Sequence, residues 1–258
     1  MGEARSGRAD QGGAELIASS ASGIEASPHA NEPPIKRRLV YGRHVGRGLT
    51  DYQENLLQAA LPALKLDLSQ PAPGPLTALF GAAARDVWLE IGFGGGEHLA
   101  WQAQNNSGIG IIGCEPFVRG VASLVKRLQE QGIGPEAVRI HDDDARFCLD
   151  WLPDAAVSRV FVLFPDPWPK KRHRKRRLLN LDVLAELARV MRPGAMLRFA
   201  TDIADYGEMV LEHMAAQPLF SASPGLLTER PADWPVTRYE QKAITAGRPC
   251  RLYVFTRV

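Results

Sequence analysis

Short apolar runs alternate with longer amphipathic stretches from Asp86 to the end of the chain. Apolar runs between turn residues are typical of strands buried on both faces, whereas apolar positions spaced three and four apart are typical of helices that pack on a sheet. The pattern predicts strands at residues 87–91, 109–114, 138–141, 160–164, 196–201 and 251–256, the last after a long loop. It predicts helices at residues 97–104, 118–131, 178–191 and 203–216. This alternation predicts an α/β fold with a mostly parallel sheet that helices cover on both faces.

The part of the chain before this alternation has a different composition. Residues 1–34 are rich in Gly, Ala, Ser and Glu and almost lack large apolar side chains, so we expect a disordered extension. For residues 35–75 the sequence predicts a basic arm and then a helix that Thr50 or Asp51 caps and that runs to Ala60. Charge alone does not separate an arm that binds a partner from a solvated one. The main domain is expected at residues 76–258.

Positive charge is concentrated in one segment. The formal net charge of the chain is +2, but residues 170–177 alone carry +7, which leaves −5 for the rest. Seven cations this close together repel one another unless an anion is bound. The segment therefore favours a directed contact with nucleic-acid phosphates over a solvated face.

Other features exclude several classes of protein. The cysteines Cys114, Cys148 and Cys250 are far apart and form no Cys-x-x-Cys pair, so we expect no disulfide framework, no metal site and a cytoplasmic location. No apolar run is long enough to span a bilayer, and the N-terminus lacks the apolar core of a signal peptide, so no membrane partner is expected. Nothing in the sequence indicates an obligate protein partner.

A glycine-rich loop follows the first predicted strand. Its first glycines, Gly92 and Gly94, allow the backbone to turn sharply and to approach a ligand. The dinucleotide-binding pattern would need a glycine where Glu97 stands, and Glu90 before the loop would repel a pyrophosphate. A ligand with cationic groups and no phosphate fits better, such as the sulfonium and ammonium of S-adenosylmethionine.

Acids also follow the next two predicted strands. The second strand is followed by Glu115, at the position where ribose hydroxyls are expected. The third is followed by Asp142, Asp143 and Asp144, where an acid could accept a hydrogen bond from an adenine amino group. Helix capping by Asp144 and solvated loop acids are the alternatives that the sequence leaves open.

The fourth predicted strand leads into Phe-Pro-Asp-Pro-Trp-Pro at residues 164–169. The prolines restrict the backbone, so we expect Asp166 and Trp168 on a stiff loop. A carboxylate can accept hydrogen bonds from the edge of a nucleobase, and an indole can stack on a base, although a Trp packed within the loop is an equally good interpretation. With the basic segment next to them, these residues predict a pocket for a nucleobase beside its own phosphates.

These motifs resemble those of the bacterial tRNA (guanine-N7-)-methyltransferase family, class I enzymes that depend on S-adenosylmethionine. The match extends from about Arg37 to Val258, and its carriers are residues 43–50, 90–94, 115–116, 164–170, 176–177, 201–202 and 237–242. The resemblance implies a Rossmann-like class I methyltransferase fold with a seven-stranded, mostly parallel sheet.

The resemblance also implies a role for individual residues. Cofactor binding is implied for Glu90, Gly92, Glu115, Asp144 and Asp166, with Asp166 also catalytic and S-adenosylhomocysteine as the product. Asp144, directly before Ala145, is preferred to Asp143. Contact with the tRNA is implied for Lys170, Asp202, Thr237, Arg238, Tyr239 and Glu240. The implied reaction methylates N7 of a guanine in the tRNA variable loop.

Three other functions remain as alternatives. Glu90 and the missing third glycine count against a nicotinamide-dependent dehydrogenase. The order Trp168-Pro169 departs from the Asp- or Asn-Pro-Pro-aromatic motif of methyltransferases that act on exocyclic base nitrogens. The acids after four successive strands count against a non-catalytic RNA-binding module on the same fold.

Overall fold

The computed structural model describes residues 48–258, apart from the side chains of residues 222–224, and this part contains one seven-stranded sheet. The strands are β1 (Asp86–Ile91), β2 (Ile109–Cys114), β3 (Val138–His141), β4 (Val157–Leu163), β5 (Met191–Thr201), β6 (Phe220–Leu226) and β7 (Arg251–Arg257). Their order across the sheet is β3-β2-β1-β4-β5-β7-β6. The first five strands in this order pair in parallel, and β7 is antiparallel to both of its neighbours.

The helices of the described part lie between the strands in sequence. They are α1 (Asp51–Leu64), α2 (Glu97–Asn105), α3 (Val118–Gln131), α4 (Ala145–Trp151), α5 (Leu181–Val190), α6 (Ala204–Ala216) and α7 (Arg238–Thr245). Two 3₁₀ helices are also present, at Leu76–Leu79 and at Lys171–Arg176. The second is called the basic 3₁₀ helix below.

Two buried apolar clusters show that the sheet is covered on both faces. Trp88 of β1 packs in a cluster with residues of α1, α2 and α3, whereas the next residue, Leu89, packs in a cluster with residues of α4, α5 and α6. Successive side chains of a strand point to opposite faces, which explains this division. The predicted fold class, a Rossmann-like class I methyltransferase fold, is confirmed.

The strand order places a crevice next to β1. This strand lies between β2 and β4, so the chain leaves it toward one side of the sheet and later returns on the other. Ligands of open α/β sheets bind at such a switch point, beyond the carboxyl ends of the strands.

The predicted strands and helices are all present, with shifted ends. The N-terminal helix continues through Pro62 to Leu64 instead of ending at Ala60, and β5 begins at Met191. The apolar pattern did not predict α4, which has only 7 residues, or β6, which contains a proline and a glycine. It also missed α7, a largely polar helix in which Glu240 and Ala243 are buried.

The helix α1 packs against the rest of the fold. Its residues Leu56 and Leu64 share a buried cluster with Leu124 of α3, and the backbone N of Leu66 donates to Ile140 O at 2.8 Å. The proposed domain boundaries stay predictions, and the N-terminal extension and residues 35–47 of the basic arm lie outside the described residues. Among the helices of the described part, none is long and apolar enough to cross a membrane.

Candidate functional site

A cavity of about 390 Å³ lies at the carboxyl ends of β1, β2 and β4. Pockets that bind small ligands have volumes of this order. The predicted site residues that line it are Gly92, Glu115, Asp144, Asp166 and Tyr239, together with Trp168, Lys175 and Arg176. Six other predicted residues are not part of its lining, namely Glu90, Lys170, Asp202, Thr237, Arg238 and Glu240.

The glycine loop after β1 forms one wall of the cavity. Gly92 has a left-handed φ of +76°, and a Cβ added to it would meet no atom within 4 Å. Glycine adopts this conformation without the strain that a side chain would bring. The loop therefore presents bare backbone to the cavity, and its contact with a cofactor stays a prediction.

Glu115 holds the glycine loop from the end of β2. Its Oε2 accepts a hydrogen bond from Gly94 N at 2.8 Å, and its Oε1 accepts one from Phe117 N at 2.9 Å. An ionised carboxylate has about four acceptor positions, so it can accept from backbone amides and from ligand hydroxyls together. Glu115 can thus shape the loop and accept from a ribose at once.

Asp144 begins α4 and is tied to Arg146. Its Oδ1 accepts from the backbone N of Arg146 at 2.9 Å, and both carboxylate oxygens accept from the Arg146 guanidinium. Burial by itself would raise the pKa of the Asp144 carboxyl, but the hydrogen bonds from Arg146 outweigh burial and hold this pKa below its ordinary value. Asp143 accepts from Asp144 N at 2.7 Å and is not in the cavity lining, which supports Asp144 as the cofactor-side acid.

Glu90 is buried near the end of β1 and is not part of the cavity lining. Its side chain is 4% exposed and lies 2.7 Å from Nδ1 of His98 on α2. The Nε2 atom of Gln102 lies 3.1 Å from Nε2 of the same histidine and donates to Asp233 O at 2.8 Å. Because Glu90 follows Leu89 on the strand, its side chain points to the face that α2 and α3 cover. A contact with the cofactor stays a prediction for this residue, and the neighbour that the structure shows is His98.

The segment of residues 164–169, called the Asp166 loop here, has a strained backbone. Phe164 has a φ of +51° and Trp168 a φ of +40°, both in the left-handed region that residues with side chains seldom adopt. Strain of this kind persists only where the surrounding structure enforces it, and it clusters at functional sites. Asp166 lies between these two residues, exposed and in the cavity lining.

The basic segment folds as a 3₁₀ helix, and this conformation divides its charges. With three residues per turn, side chains three apart share a face. His173 and Arg176 both contact the Trp168 ring, at 5.9 Å between ring centroids and 4.9 Å from the guanidinium carbon to the ring centroid. Arg174 and Arg177 both pair with Asp205 of α6. Trp168 thus packs against the basic 3₁₀ helix and also lines the cavity, so stacking on a base stays a prediction.

The interpretation of the whole basic run as a phosphate contact needs a correction. The Arg177 side chain is 0% exposed, so it cannot reach a tRNA phosphate in this conformation. A buried guanidinium needs an anion within the protein, and Asp205 is that anion. Spacing along the sequence does not reveal this partner, because Asp205 comes from a different helix.

The segment after β6 brings Tyr239 to the cavity. Thr237 caps α7, and its Oγ1 accepts from Glu240 N at 3.1 Å. Glu240 is buried and pairs with Arg230. Tyr239 lies over the glycine loop, and burial, together with the nearby Glu115 carboxylate, raises its pKa.

The remaining predicted tRNA residues lie outside the cavity. Lys170 is exposed and precedes the basic 3₁₀ helix, and Arg238 is exposed on the first turn of α7. Asp202 follows β5 and accepts from Arg248 Nε at 2.6 Å. Within residues 48–258, no group of three or more His, Cys, Asp or Glu side chains is placed to hold a metal ion.

Sequence reasoning missed several residues that shape the site. His98 and Gln102 lie one turn apart on the inner face of α2, a spacing that could have indicated a buried polar pair. No comparable local signal identifies Asp205 or Asp233. Asp233 accepts from both Arg198 and Arg159, which lie on neighbouring strands.

Comparison with known proteins identifies the family. A family model described as "Putative methyltransferase" matches residues 84–252. The chain is 46% identical over 229 residues to the tRNA (guanine-N(7)-)-methyltransferase of Chelativorans sp. (strain BNC1), covering 88% of this chain and 98% of that protein. The protein of the same name from Caulobacter vibrioides (strain NA1000 / CB15N) is 48% identical over 206 residues, which are 79% of this chain and 88% of the relative.

The chain belongs to the tRNA (guanine-N(7)-)-methyltransferase family. The relative from Ruegeria pomeroyi (strain ATCC 700808 / DSM 15171 / DSS-3) agrees, with 44% identity over 246 residues that cover 88% of this chain and 97% of that protein. Enzymes of this family and fold use S-adenosylmethionine, which is the cofactor that the glycine loop and the strand-end acids indicate.

The residues of the cavity fit this cofactor. The bare backbone at Gly92 gives a ligand close access, and the carboxylates of Glu115, Asp144 and Asp166 suit one that carries sulfonium and ammonium groups. The same carboxylates would repel a pyrophosphate, which counts against a nicotinamide cofactor. We expect Gly92, Glu115 and Asp144 to hold S-adenosylmethionine.

Proposed function

We propose that this protein transfers the methyl group of S-adenosylmethionine to N7 of a guanine in the variable loop of tRNA, with S-adenosylhomocysteine as the second product. The observation that carries the proposal is the meeting of three strand-end carboxylates, Glu115, Asp144 and Asp166, around one cavity beside the basic 3₁₀ helix. The relatives support the choice of substrate, because proteins that align with most of this chain are named for guanine N7 of tRNA.

The reaction requires the guanine to be positioned but does not require a general base. When bound, S-adenosylmethionine supplies an electrophilic methyl group on a positively charged sulfur. Guanine N7 has an in-plane lone pair and no proton to lose, so the chain needs no general base. Asp166, exposed at the cavity, holds the guanine in line and stabilises the positive charge that moves to the base.

The tRNA contacts form the second part of the proposal. Exposed Lys170 and Arg238 supply positive charge for phosphates, and Tyr239 lines the cavity next to the glycine loop. Thr237 and Glu240 are buried and fix the first turn of α7 that carries Tyr239. Asp202, next to Arg248, is proposed as a further substrate contact. A cytoplasmic location stays a prediction.

The test is a transfer assay with radiolabelled S-adenosylmethionine and tRNA that lacks the modification, followed by nucleoside analysis. The wild type should form N7-methylguanosine. The Asp166→Ala variant should lose roughly 100- to 1000-fold in kcat, because it lacks the charge that aligns and stabilises the base. Its cofactor binding, measured by calorimetry, should be reduced far less than kcat.

A matched control removes an acid far from the cavity. Asp154 pairs with Arg189 at 2.8 Å, and its side chain is 79% exposed. It precedes β4, so it lies at the amino ends of the strands, whereas the cavity lies at their carboxyl ends. Asp154→Ala should therefore keep the activity of the wild type. Full activity of purified Asp166→Ala would contradict the role of Asp166, and a methylated nucleoside other than N7-methylguanosine would contradict the substrate.

A further inference from the structure

We infer that Asp205 and Arg177 form a brace that positions the Asp166 loop for methyl transfer. Asp205 is not in the cavity lining, so it acts through Arg177 and is a positioning residue rather than a catalytic one. The inference deepens the proposed function and rests on it, because it concerns the loop that carries Asp166.

Arg177 connects the loop to α6. Its Nε donates to Pro167 O at 2.9 Å, directly after Asp166 in the loop. Its Nη2 lies 3.0 Å from each carboxylate oxygen of Asp205, and its Nη1 donates to the Asp205 backbone O at 3.2 Å. The guanidinium also lies over the Tyr206 ring at 4.7 Å. This planar, multidentate contact is one that a lysine cannot reproduce.

Asp205 also pairs with Arg174, which lies on the basic 3₁₀ helix three residues before Arg177. Arg174 Nη2 lies 2.6 Å from its Oδ2. Arg174 and Arg177, three residues apart, thus pair with the same carboxylate. This fixes the basic 3₁₀ helix as well as the loop before it. Asp205 itself lies in the first turn of α6, where a negative charge is favoured by the helix dipole.

The strain of the loop explains why it needs a brace. Phe164 and Trp168, on either side of Asp166, both have positive φ values. Neither conformation is favoured locally, so contacts from outside the loop must maintain it. The Arg177 hydrogen bond to Pro167 O lies between these strained residues and supplies such a contact.

The test compares Asp205→Asn and Arg177→Lys with the wild type. We expect kcat to fall roughly 10- to 100-fold, because a small displacement of Asp166 misaligns the reacting atoms. In Asp205→Asn the KM for S-adenosylmethionine should change by about twofold or less, since Asp205 is outside the cavity lining and Gly92, Glu115 and Asp144 are not displaced. The salt dependence of tRNA binding should not fall when the Arg177 charge is removed, because this buried side chain contacts no phosphate. Asp205→Glu should recover part of kcat.

Hydrogen–deuterium exchange without cofactor or tRNA gives a readout that is independent of activity. The amide of His173, in the basic 3₁₀ helix, donates to Lys170 O at 2.7 Å, and that of Arg177, directly after the helix, donates to Arg174 O at 3.0 Å. Both amides should exchange faster in Asp205→Asn. If the wild type fails to methylate tRNA, the proposed function fails, and the exchange rates still decide whether the brace exists.

Two further variants separate positioning from loss of stability. Asp86 is a matched control, since its carboxylate also accepts from an arginine, Arg192 at 2.8 Å, but at the start of β1, away from the cavity. Asp86→Asn should keep kcat and the exchange rates. Asp205→Asn combined with Arg177→Met removes the lone buried charge, so it should recover thermal stability while kcat stays low.

Several results would overturn the inference. One is a folded Asp205→Asn protein with the kcat and exchange rates of the wild type. Another is a kcat that recovers together with the Tm in the double variant, which would show that Asp205 matters only for stability. A reduced salt dependence of tRNA binding in the double variant, which lacks the Arg177 charge, would instead assign Arg177 to phosphate contact.

Discussion

The acidic side chains around the cavity have different partners, and the partner decides what each acid can do. Glu90 is buried against His98, Glu115 accepts from two backbone amides, and Asp144 is paired with Arg146. Asp166 is exposed at the cavity between two strained residues. Residues of one chemical type thus serve as a buried pair, a loop anchor, a helix cap and an exposed charge at the cavity.

The Asp144–Arg146 pair predicts a pH dependence of stability. The pKa of Asp144 is lower in the folded protein than the ordinary value of 3.8, so its stabilisation is complete above that value and is lost as the pH falls through the folded-state pKa. Asp144→Asn should lower the free energy of unfolding by about 1 to 3 kcal/mol near neutral pH. The difference from the wild type should shrink below pH 3.8, as measured by urea denaturation.

Arg146→Met provides the comparison for this prediction. It removes the hydrogen bonds that hold the pKa of Asp144 down, so it should remove most of the same pH-dependent stability. A difference between Asp144→Asn and wild type that stays constant into strongly acidic solution would show that the ion pair does not contribute it.

At the scale of elements, backbone conformation decides how the residue types are used. The 3₁₀ helix turns a uniform run of cations into a face against Trp168, a face against Asp205 and an exposed remainder. In the same way, the close approach of α2 and α3 depends on Gly96, which caps α2 with a φ of +74°.

The Gly96 packing yields a prediction with a matched control. A Cβ at Gly96 would lie 2.5 Å from Leu124 Cδ1, whereas one at Gly132, with a similar φ of +65°, would meet nothing within 4 Å. Gly132→Ala should cost about 1 to 2 kcal/mol for its left-handed conformation alone. Gly96→Ala should cost roughly 1 to 3 kcal/mol more and should weaken cofactor binding, because α2 and the glycine loop must shift.

Denaturant unfolding and calorimetric titration with S-adenosylhomocysteine measure both effects. Equal stabilities and equal affinities of the two glycine variants would mean that contact between α2 and α3 at Gly96 affects neither the free energy of unfolding nor cofactor binding.

At the scale of the whole molecule, the cavity draws on parts of the chain that are far apart in sequence. Gly92, Glu115, Asp144 and Asp166 follow four different strands, and Tyr239 comes from the segment after β6. A ligand in the cavity contacts all of them only when the sheet is folded, so cofactor binding and global stability must be linked.

The linkage predicts a thermal shift. S-adenosylhomocysteine at about 100 times its Kd should stabilise the protein by about 2.7 kcal/mol. For a domain of this size that corresponds to a rise in Tm of roughly 5 to 10 °C in differential scanning calorimetry. NAD should give no shift, because the cavity acids disfavour a pyrophosphate, and Glu115→Ala should reduce the shift with S-adenosylhomocysteine. A shift with NAD of the same size would contradict the assignment of the cofactor.

Much of the fold and of the cavity could be predicted from the sequence. The apolar periodicity indicated six of the seven strands and the parallel arrangement, and acids at strand ends indicated which edge of the sheet carries the site. Short or polar elements were missed, because α4, β6 and α7 depend on packing rather than on their own periodicity.

The sequence by itself determined the fold class, the family and the set of strand-end acids, because periodicity and motifs are local properties of the chain. Only the tertiary structure decided that Glu90 faces His98, that Asp144 lines the cavity and that Arg177 pairs with Asp205. The physical reason is that burial and pairing of a charge depend on which side of a strand or helix it occupies and on partners that arrive from distant parts of the chain.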